Sequence, residues 1–369
     1  MPLSELVRQA EHTMTVCNSC RYCEQFCPVF PAMERRLTFT PADLSYLANL
    51  CHNCGECLYA CQYAPPHEFG IEVPRTLARV RLASYQEYCW PRPLASAFAR
   101  QGVLTALVLA ALLTAILLAS AWLFNPAALF QPQPRGDFYS VMPHGVMVGL
   151  FGGVALFVLL AMAIGITRFW RDGRTDSAER ARGAAVVRAF RDALTLRHQH
   201  ASGADCTAGE EVRTPWRRLF HHCTFYGFML CFASTSVAAI YHSVFGWHAP
   251  YSLFSLPVVL GTAGGVGLLV GPPGLFWLRR NRDEALMDPA QKGLDESFIA
   301  MLFLTSLTGL LLLVLRDQPG MAVVLIIHLG VVLALFLTLP YGKFMHGFYR
   351  MAALVKYHTE GDGGPRTSV

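Results

Sequence analysis

The 369-residue chain is 53% apolar and only 15% charged, and its mean hydropathy is positive. That balance excludes an ordinary multi-domain soluble protein and places the chain on the membrane side of the usual ranges. The net charge of +5 does not indicate nucleic-acid binding, because the basic residues gather at the ends of apolar runs, where a bilayer accounts for them.

Residues 1–16 read as a short lead-in helix. Glu5, Arg8, Glu11 and His12 interrupt it and no apolar core follows, so no secretory signal is expected and the next segment is expected in a reducing compartment. That segment, residues 17–61, holds eight of the chain's 12 cysteines. They form two copies of C-x2-C-x2-C-x3-C: Cys17, Cys20, Cys23 and Cys27, then Cys51, Cys54, Cys57 and Cys61. This is the spacing of two-cluster bacterial ferredoxins. A disulfide framework conflicts with the compartment. Structural zinc takes cysteines in C-x2-C pairs rather than quartets ending in C-x3-C. In each copy the first three thiolates wrap one corner of a four-iron cube, and the fourth crosses to the other cube. The expected ligands are Cys17, Cys20, Cys23 and Cys61 for one [4Fe-4S] cluster, and Cys51, Cys54, Cys57 and Cys27 for the other. Pro28 follows the first crossing cysteine, whereas Gln62 follows the second. Cys89, Cys206, Cys223 and Cys231 show no ligand pattern.

Thr40-Pro41-Ala42-Asp43 predicts a helix start, with Thr40 as N-cap and Pro41 in the first turn. Within residues 62–100, Pro74 to Tyr88 is expected to form an amphipathic helix, and the rest reads as a basic connector reaching the membrane surface. Six apolar spans follow: Val103–Phe124, about His144–Ile166, Leu219–Phe245, Tyr251–Leu278, Phe298–Leu315 and about Gly320–Tyr341. Each is near the roughly 20 residues a span needs. The fourth reads as broken by Pro257, Gly264, Gly265, Gly267 and Gly271-Pro272-Pro273-Gly274. Loops 167–218 and 279–297 together hold 15 Arg or Lys, against two in the other three loops, Arg135 and Arg316. The asymmetry predicts both termini and the cysteine segment on the cytoplasmic side of a bacterial inner membrane. Within the first of these loops, Ala184–Leu196 has helical apolar spacing. It is expected either to lie on the bilayer or to pack on the cysteine domain. The predicted organisation is a 1–100 dicluster domain with connector, a 101–350 membrane domain carrying loop 167–218, and a 351–369 cytoplasmic tail, disordered from Gly361.

Ionisable residues inside spans are functional candidates. His144, His221, His222, His242, His328 and His346 qualify. A b-type haem takes imidazoles from neighbouring helices. Helical periodicity and the side of the membrane suggest two pairs, His221 with His346 and His242 with His328, with His222 as a substitute for His221. His328 and His346 share a face if their helix continues past Pro340, which could bend it.

The stretch LPYGKFMHGF, residues 339–348, resembles the last haem helix of nitrate reductase gamma-type cytochromes b, which implies His346 and His328 as haem ligands. Taken whole, the chain resembles the tricarballylate-utilisation (citrate-utilisation) protein B family. FRDALTLRH at 190–198, HHCTFYGF at 221–228 and DPAQKG at 288–293 carry the likeness along with the cysteines. The resemblance implies a protein that reoxidises the flavin of an FAD-dependent tricarballylate dehydrogenase and delivers electrons to membrane quinone.

The expected fold is mainly α: an N-terminal bacterial-ferredoxin-like dicluster domain followed by a six-helix transmembrane bundle. The expected cofactors are two [4Fe-4S] clusters and one or two b haems, with quinone as acceptor. No residue looks suited to substrate carbon chemistry, so the dehydrogenase is expected on another polypeptide. The competing readings are an electron-transfer subunit for another flavoprotein or a heterodisulfide-type partner, and a tricarboxylate transporter with an iron–sulfur sensor.

Overall fold

The computed structural model describes residues 3–130, 138–173, 183–200, 207–208 and 212–362. Cys206, Arg135 and residues 363–369 lie outside them. The cysteine domain is built from α1 (Leu3–Cys20), α2 (Val29–Glu34), α3 (Pro41–Leu50), α4 (Glu56–Tyr59) and α5 (Val73–Tyr88). Helix α3 starts as its sequence predicts: the Thr40 hydroxyl accepts from the Asp43 amide, and the Asp43 carboxylate accepts from the Thr40 amide. Burial opposes the Asp43 charge, but Thr40 and Arg36 outweigh it and hold the carboxyl below its usual range. Helix α5 covers the expected Pro74–Tyr88 helix. It packs between α1 and α3 because Leu77, Ala78 and Val80 fill the core beside Met14, Leu47 and Leu50.

The remaining helices are α6 (Arg92–Arg100), α7 (Gly102–Phe124), α8 (Pro126–Phe130), α9 (His144–Asp172), α10 (Gly183–Leu194), α11 (Trp216–Phe245), α12 (Leu256–Arg280), α13 (Lys292–Leu315), α14 (Met321–Thr338) and α15 (Met345–Asp362). Among the described residues, strand pairing amounts to Thr207–Ala208 against Val212–Arg213. Six segments are long and apolar enough to cross a membrane: α7, α9, α11, α12, Pro289–Leu315 and Met321–Gly361. Large apolar side chains face outward along them, such as Ile116, Leu159, Phe232 and Val270, as lipid contact requires. Trp216, Trp247 and Trp277 stand exposed near the ends of α11 and α12, where indole rings suit the interface.

Packing within the bundle runs in sequence order from α11 to α12, α13 and α14, with α7 against α13 and α14. The expected break in the fourth span does not occur: α12 is one helix, with Pro272 and Pro273 inside it. Its glycines serve close approach instead. Gly264, Gly267, Gly271 and Gly274 fall on one face, and a Cβ there would collide with α11. One on Gly264 would stand 2.7 Å from the Gly227 carbonyl oxygen, and one on Gly267 2.9 Å from that of Cys223. In lipid, such backbone contact replaces the hydrophobic drive that holds helices together in water.

The sixth segment does break. Helix α14 ends at Thr338, a 3-10 turn spans Leu339–Tyr341 and α15 starts at Met345, because Pro340 has no amide to continue the ladder. Helix α15 is not a loose tail. It packs on α3, α9 and α10, and its Glu360 takes the Arg36 guanidinium at 2.7 Å while Arg36 also holds Asp43 at 2.6 Å. Helix α10 packs on α15, and its Val187, Phe190 and Leu194 remain exposed.

The glycine seam yields a paired prediction. A Cβ on Gly271 would stand 2.6 Å from the Thr224 amide nitrogen, whereas one on Gly152 meets nothing within 4 Å. Gly271→Leu should lower the stability of the detergent-solubilised protein by about 1–3 kcal/mol, the usual range for overpacking. Gly152→Leu should leave the thermal melting curve unchanged.

Candidate functional site

The two cysteine repeats fold into one cage. Helix α1 carries Cys17 and Cys20 on its last turn, and the chain then loops through Cys23 and Cys27. In the second repeat, Asn53 and Gly55 take positive φ, 54° and 98°, which curls the Cys51–Cys57 turn; Gly55 meets this demand without a Cβ clash. A cavity of about 250 Å³ is lined by Cys17, Cys20, Cys23, Cys57 and Cys61, with Phe30, Ile71, Val73, Tyr22 and Tyr63 around them. The Cys27 thiol feels Cys54, Cys51 and Cys23, and that of Cys57 feels Cys54, Cys27, Cys51 and Cys23. The chain thus brings thiols of the two repeats together.

Four of the thiols, Cys17, Cys23, Cys27 and Cys57, give up a proton only to a cation that holds the anion. Burial first, then the neighbouring thiols, pushes Cys17 and Cys23 up to about 12; burial drives Cys27 and Cys57 well above the usual thiol value. Among the described residues, no three His, Cys, Asp or Glu side chains converge tightly enough for a single metal ion. Thiolates around one zinc at about 2.3 Å would do so. Thiols spread around a cavity fit a multi-atom iron–sulfur group in both donor chemistry and size.

Arginines pin the second repeat to the membrane helices. Arg217, in the first turn of α11, donates to the carbonyls of His52 at 2.9 Å and Asn53 at 2.8 Å. Arg282, just past α12, donates to the same Asn53 carbonyl. Arg350 of α15 and Arg81 of α5 each reach the Cys51 carbonyl at 2.6 Å. The α12–α13 loop adds Tyr59 to Asp283 at 2.8 Å and Asn53 to the Leu286 carbonyl at 3.1 Å. Burial, together with Arg350, His198, Arg217 and Arg81, pushes His52 well below the usual histidine value.

On the same side of the bundle, His221 of α11 and His346 of α15 come together with ring centres 6.0 Å apart and planes at 75°. His346 Nδ1 donates to the Lys343 carbonyl at 2.5 Å, which leaves the Nε2 lone pair available to a ligand. Lys343 is itself held by Asp295 at 2.8 Å, which also pairs with Arg279. His221 Nδ1 is buried with no hydrogen-bond partner among the described residues. Two such imidazoles fit the donor set of a b-type haem. His222 turns instead toward the Tyr226 ring.

The outer pair is not assembled. His242 stacks on His144, 3.8 Å between ring centres and 18° between planes, and meets His248 and Tyr139 through Nδ1 at 3.0 and 3.3 Å. His328 Nδ1 bonds the Thr308 hydroxyl at 2.9 Å, and its ring lies over Gly309. The reason is helix order: α12 and α13 intervene between the helix of His242 and that of His328. Stacked rings such as His144 and His242 cannot both aim their in-plane lone pairs at one atom between them.

Sequence reasoning missed the four arginines and the Lys343–Asp295 pair. Arg217 and Arg282 registered only as span-end charge, because a guanidinium aimed at a distant carbonyl leaves no spacing signature.

Comparison with known proteins places this geometry. The family model for citrate utilization protein B matches residues 99–364, and that for the citrate utilization protein B Fer4-like domain matches residues 10–87. A citrate utilization protein B of Escherichia coli is 50% identical over 368 residues, covering 100% of this chain and 96% of that protein. No solved structure matches.

The cage predicts how cysteine variants should group. Cys61→Ser should alter the same electron paramagnetic resonance signal as Cys17→Ser, and Cys27→Ser the same one as Cys54→Ser. Signals that instead group by repeat would show that the fourth thiol does not cross.

Proposed function

The chain belongs to the citrate utilization protein B family, and from that premise we propose that it is a membrane electron carrier. In this reading it reoxidises the reduced flavin of a partner dehydrogenase, one acting on tricarballylate, and passes the electrons to membrane quinone. The observation that carries the reading is the gathering of thiols from both repeats on a domain pinned to the ends of membrane helices. When bound, two [4Fe-4S] clusters and one b haem supply one-electron carriers along that junction.

The residues divide the work. Cys17, Cys20, Cys23 and Cys61 hold the outward cluster; Cys27, Cys51, Cys54 and Cys57 hold the inward one. Tyr22 and Tyr63 flank the open side of the cavity, where the flavoprotein docks. His221 and His346 hold the haem, with Lys343 and Asp295 fixing His346. Each reduced flavin yields two electrons and two protons and each quinone takes up the same number, so this chain moves electrons and makes no carbon bond. The arginine-rich loops orient the cysteine domain toward the cytoplasm of a bacterial inner membrane. The unbroken α12 removes the one feature that favoured a transporter.

Purification tests the reading. The full chain in detergent should contain about nine irons, about eight of them in the clusters and one in haem, and about eight acid-labile sulfides, with a b-type Soret band that shifts on reduction. His221→Ala and His346→Ala should each abolish that band, and His242→Ala should retain it. A preparation without iron and sulfide overturns the electron-carrier reading. If reduced tricarballylate dehydrogenase fails to reduce the chain while another flavoprotein succeeds, the partner is reassigned.

A further inference from the structure

We infer that Arg81, Arg217, Arg282 and Arg350 make the Cys51–Cys54 turn the electropositive exit of the cysteine domain, so that the group held there is reduced more readily than its neighbour and electrons leave through it toward His221 and His346. The inference rests on the electron-carrier reading above.

One peptide group connects charge to sulfur. The His52 carbonyl accepts from Arg217 at 2.9 Å. On the other side of the same peptide unit, the Asn53 amide donates to Cys51 Sγ at 3.3 Å. A guanidinium on the carbonyl polarises that unit and strengthens the amide as a donor to the thiolate. The Asn53 carbonyl accepts from both Arg217 and Arg282, and the Cys51 carbonyl from both Arg81 and Arg350. Guanidinium stays charged at any working pH, so four fixed positive charges surround this turn.

The two halves of the cage differ accordingly. Cys51 and Cys54 are only 6% and 7% exposed, and burial by itself opposes the extra negative charge that reduction brings. The arginines act the other way, and each is close enough to bond the turn's own carbonyls. A unit charge even about 12 Å away, at an effective dielectric of about 20, changes such an equilibrium roughly tenfold. Among the described residues, the carbonyls of the first turn take one guanidinium, that of Arg21 on Asn18 at 3.1 Å. Cys17, Cys20, Cys23 and Cys61 line the open cavity, which Cys57 of the second repeat also touches. Direction follows from position: Arg217 and Arg282 sit at one end of the α11–α12 hairpin, and Arg350 is one helical turn from His346 on α15. The second half therefore faces the membrane site, and the first faces the flavoprotein.

The test is a redox titration of the full chain in detergent, followed by electron paramagnetic resonance. The unaltered protein should give two cluster signals of different potential. A soluble lanthanide relaxation agent should act on the lower-potential signal and spare the higher. Arg217→Gln should lower the higher potential more than the lower one, cutting the reduced fraction of that signal at fixed ambient potential about tenfold, a shift of 59 mV for one electron. Arg217→Lys, which keeps the charge, should recover most of that loss; a purely structural role would treat Gln and Lys alike. Equal shifts in both signals, no shift in either, or a relaxation agent acting on the higher-potential signal would overturn the inference, the last without any variant that must fold. Absence of two cluster signals overturns the electron-carrier reading and the inference with it.

Discussion

Backbone carbonyls of a cysteine turn, neutralised by guanidinium groups from distant helices, hold this molecule together across its two parts. A turn curled tightly enough to present several thiols to one centre turns its carbonyls outward, where they need donors. Arg81, Arg217, Arg282 and Arg350 are those donors. Because three of them come from the ends of α11, α12 and α15, meeting the turn's hydrogen-bond demand also fixes its height and orientation over the bundle. The Arg36–Asp43–Glu360 bridge then ties the far side of α3 to α15. Buried charges are costly unless fully paired, and here each carboxylate and guanidinium has a named partner.

What could be read from the chain beforehand was what local spacing encodes. The cysteine quartets, the six spans and the Thr40–Asp43 cap each depend on residues within a few turns of one another. What escaped were relations between elements. Periodicity could say that His328 shares a face with other residues of its helix, but not that α12 and α13 separate it from His242. It could bring His221 and His346 to the same side, and there the structure does pair them.

The fourth span shows a different failure. Glycine and proline read as breakers because in water a glycine loosens a helix and a proline removes a bond. In a bilayer the backbone has no solvent to turn to, so a helix persists and bare glycine surface becomes contact area. The same residues, Gly264 to Gly274, therefore specify a hairpin of two closely packed helices rather than a gap between two half-helices.

The order of the contacts along the chain sets a schedule for assembly. The cysteine domain lies N-terminal to every membrane helix, whereas its anchors at 217, 282, 350 and 360 emerge after two, four and then six spans. Until the ribosome has passed α15, the Cys51–Cys54 turn lacks one of its carbonyl donors and α3 lacks Glu360. The metal-binding half must therefore wait, tethered beside the translocon, while the bundle is threaded. Its final seating becomes a checkpoint that only a completely inserted chain can pass.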